Sequence, residues 1–363
     1  MSIFDAMKKI FLACLMLAGA SLLSGCFNDK GDDEPVYISV TAGAFILNQG
    51  NALEDIKGSI TYIDFANSTS REITGLDLDY EPSDILAYGG KVYVACPSRN
   101  AIVVFDKETF APIATISTTE TLGNDAGEMP RHLTAYGKCV YVSTYGGYVG
   151  GIDTTNFQLL AKYQAGSYPE GMCIGEDDEV ASLYVANSDA DNGNGNISII
   201  NLKSGSINTV RNDNVQSPQK LAVAGSYIYV LDSGENFGVY KMYGSSAQKI
   251  IHNATKMTAA GYCLVTINAP QNGNYSFSLY DVRYGVPESF SLYGDDGHAL
   301  IDPIAIGVDS NTGYIMVASR QADPDEPGFV NLYNSTHDFV ASYPIGIEAT
   351  DISFQYRTAR YYY

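Results

Sequence analysis

The sequence predicts an all-β fold: a seven-bladed β-propeller of four-stranded antiparallel blades, its ring closed by a C-terminal strand that completes the first blade. Three observations predict it. The composition is that of strands and turns, with 35 Gly and 28 Tyr against 14 Phe and no Trp. A four-part unit, clearest over Pro82 to Ile116, recurs along the chain. The two ends of the chain carry complementary fragments of that unit. A hydrophobic content of 45% is enough for a core and excludes a disordered chain. The 41 acidic against 21 basic residues repel phosphate backbones, so nucleic acid is not an expected partner.

The second strand of each unit is the most regular. It reads Phe45-Ile46-Leu47-Asn48, Tyr93-Val94-Ala95-Cys96, Tyr141-Val142-Ser143-Thr144 and Tyr184-Val185-Ala186-Asn187 in the first four units. Tyr229-Val230-Leu231-Asp232, Leu264-Val265-Thr266-Ile267 and Ile315-Met316-Val317-Ala318 follow. Seven copies at a spacing of 35 to 52 residues match the propeller class of repeats. A second apolar run follows each, such as Ile102-Val103-Val104-Phe105 or Ile197-Ser198-Ile199-Ile200; the third unit is weaker, with Tyr148-Val149-Gly150-Gly151-Ile152. Asp64, Asp106, Asp153, Asn201 and Asp281 end these runs. Their short acceptor side chains suit the turn into the fourth strand, which makes them turn formers rather than catalytic acids. The first strands open on Pro82, Pro130, Pro169, Pro218 and Pro303, with Ala254 in the sixth unit. Pro is tolerated there because its missing N–H breaks no ladder bond.

The first unit lacks a first strand, and Glu348 to Phe354 has a first-strand pattern with nothing after it. The C-terminus is therefore expected to fill the gap and remove an open sheet edge. At the other end, Lys8 and Lys9 precede an apolar run from Ile10 to Leu23, the layout of a secretory signal and too short for a membrane span. Leu23-Ser24-Gly25-Cys26 resembles a bacterial lipobox, which implies cleavage after residue 25 and lipidation of Cys26. The expected organisation is a signal peptide over 1–25, a lipidated Cys with a polar, acidic tether over 26–40, and one propeller over 41–363. Acidic residues directly after Cys26 resemble the surface-export signal of Bacteroidetes lipoproteins. Cys96, Cys139, Cys173 and Cys263 fall in different strands with no metal-clip spacing and read as small buried hydrophobes.

Tyr184-Val185-Ala186-Asn187 with its following strand and Pro-led entrance resembles the YVTN/YncE-like seven-bladed propellers. The opening from Ala42 to Asp64 and the ending from Gly307 to Ile347 are similar to one branch, the BtuG-type surface lipoproteins of Bacteroidetes. This resemblance implies a non-catalytic, outer-membrane, lipid-anchored protein that faces the cell exterior. It also implies capture of a small polar ligand, cobalamin, for a TonB-dependent outer-membrane transporter, with the lipid as the only membrane contact. The chain departs from the family pattern in having no Trp, which counts against carrying over an aromatic ligand platform.

In a propeller the loops before the first strand and after the second share one face. The long segments lie there: Ser117 to Met129, Ser188 to Asn196, Ala269 to Asn274, Tyr293 to Asp302 and Arg320 to Gly328. Long loops on a rigid scaffold are the usual place for binding. The candidate ligand-binding residues on that face are Asn48, Gln49, Arg99, His132, Tyr145, Tyr148, Asn187, Gln219, Lys256 and Arg320, with Asn51, Glu170 and Lys220 beside them. Such donors and acceptors with Tyr suit a polar, amide-bearing or sugar-like molecule. No serine elbow, zinc helix or phosphate loop is present, and no cofactor is expected. Asp189 to Asn196 is rich in oxygen ligands for Ca²⁺, but Gly193 and Ile200 stand where an EF-hand needs ligands, so a loop is the expected reading. Two alternatives to a ligand carrier stay open: a scaffold that contacts glycan or protein, and a propeller hydrolase or lyase.

Overall fold

Alternating apolar residues bounded by Gly, Asn and Asp turns fold locally into hairpins, and seven sets of these make the molecule. The computed structural model describes residues 36–361 apart from 178, 179, 190 and 324. The expected signal peptide, Cys26 and most of the expected tether lie outside the described residues. Blade 1 is built from β1 (Val36–Asn48), β2 (Ser59–Asp64), β3 (Thr69–Glu72) and, innermost, the C-terminal β28 (Ala349–Tyr361), in the order β28-β1-β2-β3. Six blades of four consecutive strands follow. Their innermost strands are β4 (Asp84–Tyr88), β8 (Pro130–Tyr136), β12 (Pro169–Asp177), β16 (Pro218–Ala224), β20 (Ala254–Ala260) and β24 (Pro303–Val308). Each innermost strand touches the next, and β24 touches β28, so the ring is closed. The strand supplied by the C-terminus is longer than its sequence pattern: β1 and β28 pair from Asn48 and Ala349 down to Val36 and Tyr361. Pairing also begins at Val36, five residues before the expected boundary at 41.

The core is seven layers rather than one. Each layer lies between two adjacent blades, as with Phe45, Leu47, Val94 and Phe105 between blades 1 and 2, or Val142, Val104 and Ile152 between blades 2 and 3. The third strand of blade 3, weak in sequence, has its reason here. The Ser117 to Met129 segment is not irregular: it holds a short helix, α1 (Thr118–Leu122), capped by Ser117 Oγ accepting from Glu120 N at 3.2 Å. Leu122 packs so closely on Gly150 that a Cβ there would lie 2.8 Å from its methyl carbons. Gly replaces an apolar side chain because the helix fills the space.

The expected turn formers act as such. Asp64, Asp106, Asp153, Asn201 and Asp281 each accept from the backbone N–H two residues on, at 2.7 to 3.0 Å. Cys96, Cys139 and Cys173 are buried, Cys263 is half-buried, and all four are free thiols. Six innermost strands are preceded by a non-Gly residue with positive φ: Glu81, Met129, Tyr168, Asn253, Asp302 and Glu348, at 43 to 59°. This left-handed step is disfavoured for such residues, and its repetition marks where each strand is turned into the channel.

Candidate functional site

Because the innermost strands begin alike, one position recurs around the channel: Asp84, His132, Gly171, Lys220, Lys256, Ala305 and Asp351. Several of these groups interlock. His132 Nδ1 lies 3.5 Å from Asp84 Oδ2, and its Nε2 lies 3.5 Å from Glu170 Oε2. Asp84 Oδ2 also accepts from the backbone N–H of Leu133 at 2.6 Å, tying blade 2 to blade 3. Lys220 Nζ of blade 5 lies 3.8 Å from Asp351 Oδ1 of blade 1, so side chains bridge the channel.

Burial opposes the charge on His132, but the carboxylates of Asp84 and Glu170 outweigh it and push its pKa up to about 9. Asp84 is held below the usual carboxylate range, because the bond and charge of His132 overcome its burial. Asp351 moves the other way: burial and the neighbouring Asp84 raise it, and Lys220 offsets only part. Burial, with Lys220 close by, lowers the Lys256 ammonium. At neutral pH His132 is therefore an imidazolium with both N–H groups turned to carboxylates.

Above this network the long-loop face carries two clefts. One, of about 730 Å³, is lined by Tyr145, Gln164, Ser167, Tyr168 and Thr209 between blades 3 and 4. The other, of about 520 Å³, is lined by Gln49, Tyr80, Glu81, Met129 and Arg131. A ridge separates them. The Arg131 guanidinium lies 4.8 Å over the Tyr145 ring, and Tyr145 meets Tyr168 edge to face at 5.2 Å. The Tyr145 hydroxyl donates to Glu170 Oε1 at 2.5 Å. Arg131 Nε is 3.5 Å from Glu170 Oε2, an ion pair without a hydrogen bond at that buried nitrogen.

No protein-family model and no curated protein matches the chain. Solved propellers do. A candidate 6-phosphogluconolactonase from Bacteroides fragilis superimposes with a TM-score of 0.60 at 13% identity, over 86% of this chain and 98% of that one. A second, from Bacteroides uniformis, gives 0.57 at 14% identity, over 87% and 99%. Apo AztD from Citrobacter koseri gives 0.53 at 11% identity, over 90% and 99%. Likeness at this level of identity establishes the fold alone. The chain is a seven-bladed β-propeller.

The residues singled out from the sequence separate into two groups. His132 and Lys256 lie in the channel network, while Gln49 and Tyr145 line the clefts. Gln219 stands on an innermost strand, donating to Ser217 Oγ at 3.2 Å. The others are taken up by the scaffold. Asn48 is fully buried and donates to Ser59 and Thr61; Asn187 is equally buried and donates to Asn196 and Ser198. A Gly of the preceding blade, Gly346 or Gly166, packs against each amide. Arg99 pairs with Asp77, and Tyr148 lies under the Lys162 ammonium at 4.6 Å. Arg320 donates to Asp302 at 2.6 Å and grips Glu348 through two nitrogens.

Asp84, Asp351, Arg131 and Tyr168 were not among the expected residues. Aligning the strand entrances by their Pro would have placed Asp84 beside His132, and extending the alignment to the Ala349 entrance would have added Asp351. In the Asp189 to Asn196 loop, Asp191 accepts from Tyr168 and Asn194 from Arg211. Among the described residues no group of three or more His, Cys, Asp or Glu side chains is placed to hold a metal ion.

Proposed function

We propose that this chain is a non-catalytic, lipid-anchored surface protein of the outer membrane that captures a small polar ligand on the long-loop face of blades 2 to 4. The observation that carries this reading is the ridge of Arg131, Tyr145 and Tyr168 between two clefts. Arg131 presents a partly exposed guanidinium, and the two tyrosine rings beside it offer apolar surface with polar tips. Each cleft is of the size that takes a small-molecule ligand, and a larger one can straddle the ridge. The family resemblance makes that ligand cobalamin and the recipient a TonB-dependent transporter. Binding is favoured over catalysis because His132, the one histidine at the channel mouth, is held charged between two carboxylates and has no free nitrogen to act as a base.

Titration with cyanocobalamin tests this. A saturable signal that is lost in Arg131→Ala and weakened in Tyr168→Ala supports the reading; no binding by the wild-type protein sinks cobalamin as the ligand. The polar lining of the larger cleft, with Gln164, Ser167 and Thr209 beside two tyrosines, also fits a sugar ring. A glycan panel is the second arm of the test.

A further inference from the structure

The chain enters the propeller on the side opposite the clefts. β1 is a second strand, and second strands run from the short-turn face to the long-loop face, so Val36 lies on the short-turn face. There β1 and β28 form a two-stranded ribbon, Val36 to Thr41 against Tyr356 to Tyr361. The ribbon is braced by neighbours on both sides. Thr41 donates to Asp309 at 2.8 Å, Asn311 donates to Ser39 at 3.2 Å, and Lys107 donates to the Tyr356 carbonyl at 2.9 Å. The start of the described chain is therefore held on this face by packed structure.

The same face carries an exposed aromatic patch. Tyr227, Tyr243, Tyr262, Tyr284 and Val286 sit in or beside the short turns of blades 5 and 6 and are 42 to 78% exposed. The patch is continuous. The turn of blade 5 bonds that of blade 6, Gly225 N to Gly261 O at 2.9 Å, and Tyr227 and Tyr243 meet at 6.3 Å. Cations hold the rings in place: Lys241 Nζ lies 3.3 Å from the centre of Tyr227, and Arg283 lies 5.1 Å from that of Tyr262.

We propose that this short-turn face rests on the lipid surface that holds the anchor, with the tyrosines at headgroup level and the clefts turned away. The proposal rests on the reading of Cys26 as the lipidated residue. Two arguments carry it. The ten residues from Cys26 to Val36 reach at most ~35 Å when fully extended. The disc itself is ~20 Å thick, at ~3.3 Å per residue for six-residue strands. A tether that leaves from this face would spend more than half of its reach passing the disc before the opposite face could meet the surface, so this face is the favoured contact. Tyrosine, with an apolar ring and a polar tip, is also the side chain that favours the membrane interface. At a net charge of -20 the protein has no general attraction for anionic lipid, so the contact is aromatic rather than electrostatic.

The absence of Trp makes a direct test possible, since one introduced Trp is the only indole emitter. The full-length lipidated protein is placed in phosphatidylcholine vesicles brominated on the upper part of the acyl chains. Two variants are compared: Tyr284→Trp on the short-turn face, and Leu53→Trp on the long-loop face, where Leu53 is 94% exposed. The expected result is quenched, blue-shifted emission from Tyr284→Trp and unchanged emission from Leu53→Trp. Quenching of Leu53→Trp, or of neither variant while both float with the vesicles, overturns the proposal. Protein that does not float and carries no acyl mass on Cys26 removes the anchor reading and this proposal with it, and leaves cobalamin titration of the clefts as a separate question.

Discussion

Arg131 and Arg320 stand on the same face of the same ring, and their surroundings could hardly differ more. Arg320 donates to Asp302 and grips Glu348, so its guanidinium joins the loops on either side of blade 7 where the ring closes. Arg131 has one 3.5 Å ion-pair contact with Glu170 and a tyrosine ring beneath it. The Arg320 guanidinium is taken up in holding the ring; that of Arg131 is partly exposed beside two clefts. A polar side chain on a propeller face is thus evidence of a site only once its internal partners are known.

The largest effect comes from breaking the closure itself. Deleting residues 347–363 removes β28, leaves β1 without its long partner and opens the ring between β24 and β4. The expected outcome is aggregated protein with no cooperative melting transition; a truncated protein that melts like the full chain contradicts the closure. Next in size is Glu170→Ala. Glu170 is 4% exposed and faces His132, Arg131 and Tyr145, so removing it leaves two half-buried cations without this counter-charge, at a cost of about 2–3 kcal/mol. Denaturant melts would show this, and a loss below about 1 kcal/mol would mean that the network is held elsewhere.

A third prediction concerns pH. Folding raises the proton affinity of both Asp351 and His132. Their contributions are full below the unfolded values, and each is lost as pH rises through its folded pKa. For His132 the loss runs from about 6.5 to about 9 and amounts to up to about 3 kcal/mol. Tm should therefore fall between pH 5 and 9. Asp351→Asn should flatten the lower part of that fall and His132→Gln the upper part; a Tm constant across this window would contradict the assigned pKa directions. The smallest effect is Arg99→Ala, which removes a partly exposed pair with Asp77 and should cost less than about 1 kcal/mol and leave ligand binding intact.

The fold was legible because its signals are local. Tyr-Val-Ala-Asn runs, Asp at the third-strand ends and Pro at the first-strand entrances each report on a few neighbouring residues, and seven copies reinforce one another. The site was less legible because it depends on which segments meet. Asn187 has a polar side chain at a loop edge and reads as a ligand contact, yet it is fully buried, its Nδ2 donates to Asn196 and Ser198, and Gly166 packs against it. Asp84 reads as part of a strand entrance, yet it is the partner that keeps His132 charged. The same holds for α1: its five residues lie in a loop-like stretch, and only Gly150 of the adjacent strand hints that something packs there.

The proposed ligand sits over the Arg131 ridge rather than over the Arg320 clamp. Hydrogen–deuterium exchange with and without cyanocobalamin tests this placement directly. Slower exchange is expected over residues 128–131, 145–147 and 164–168, with no change at 302 or 320–328. Protection confined to the loops around Arg320, or to the short turns of the opposite face, would contradict it.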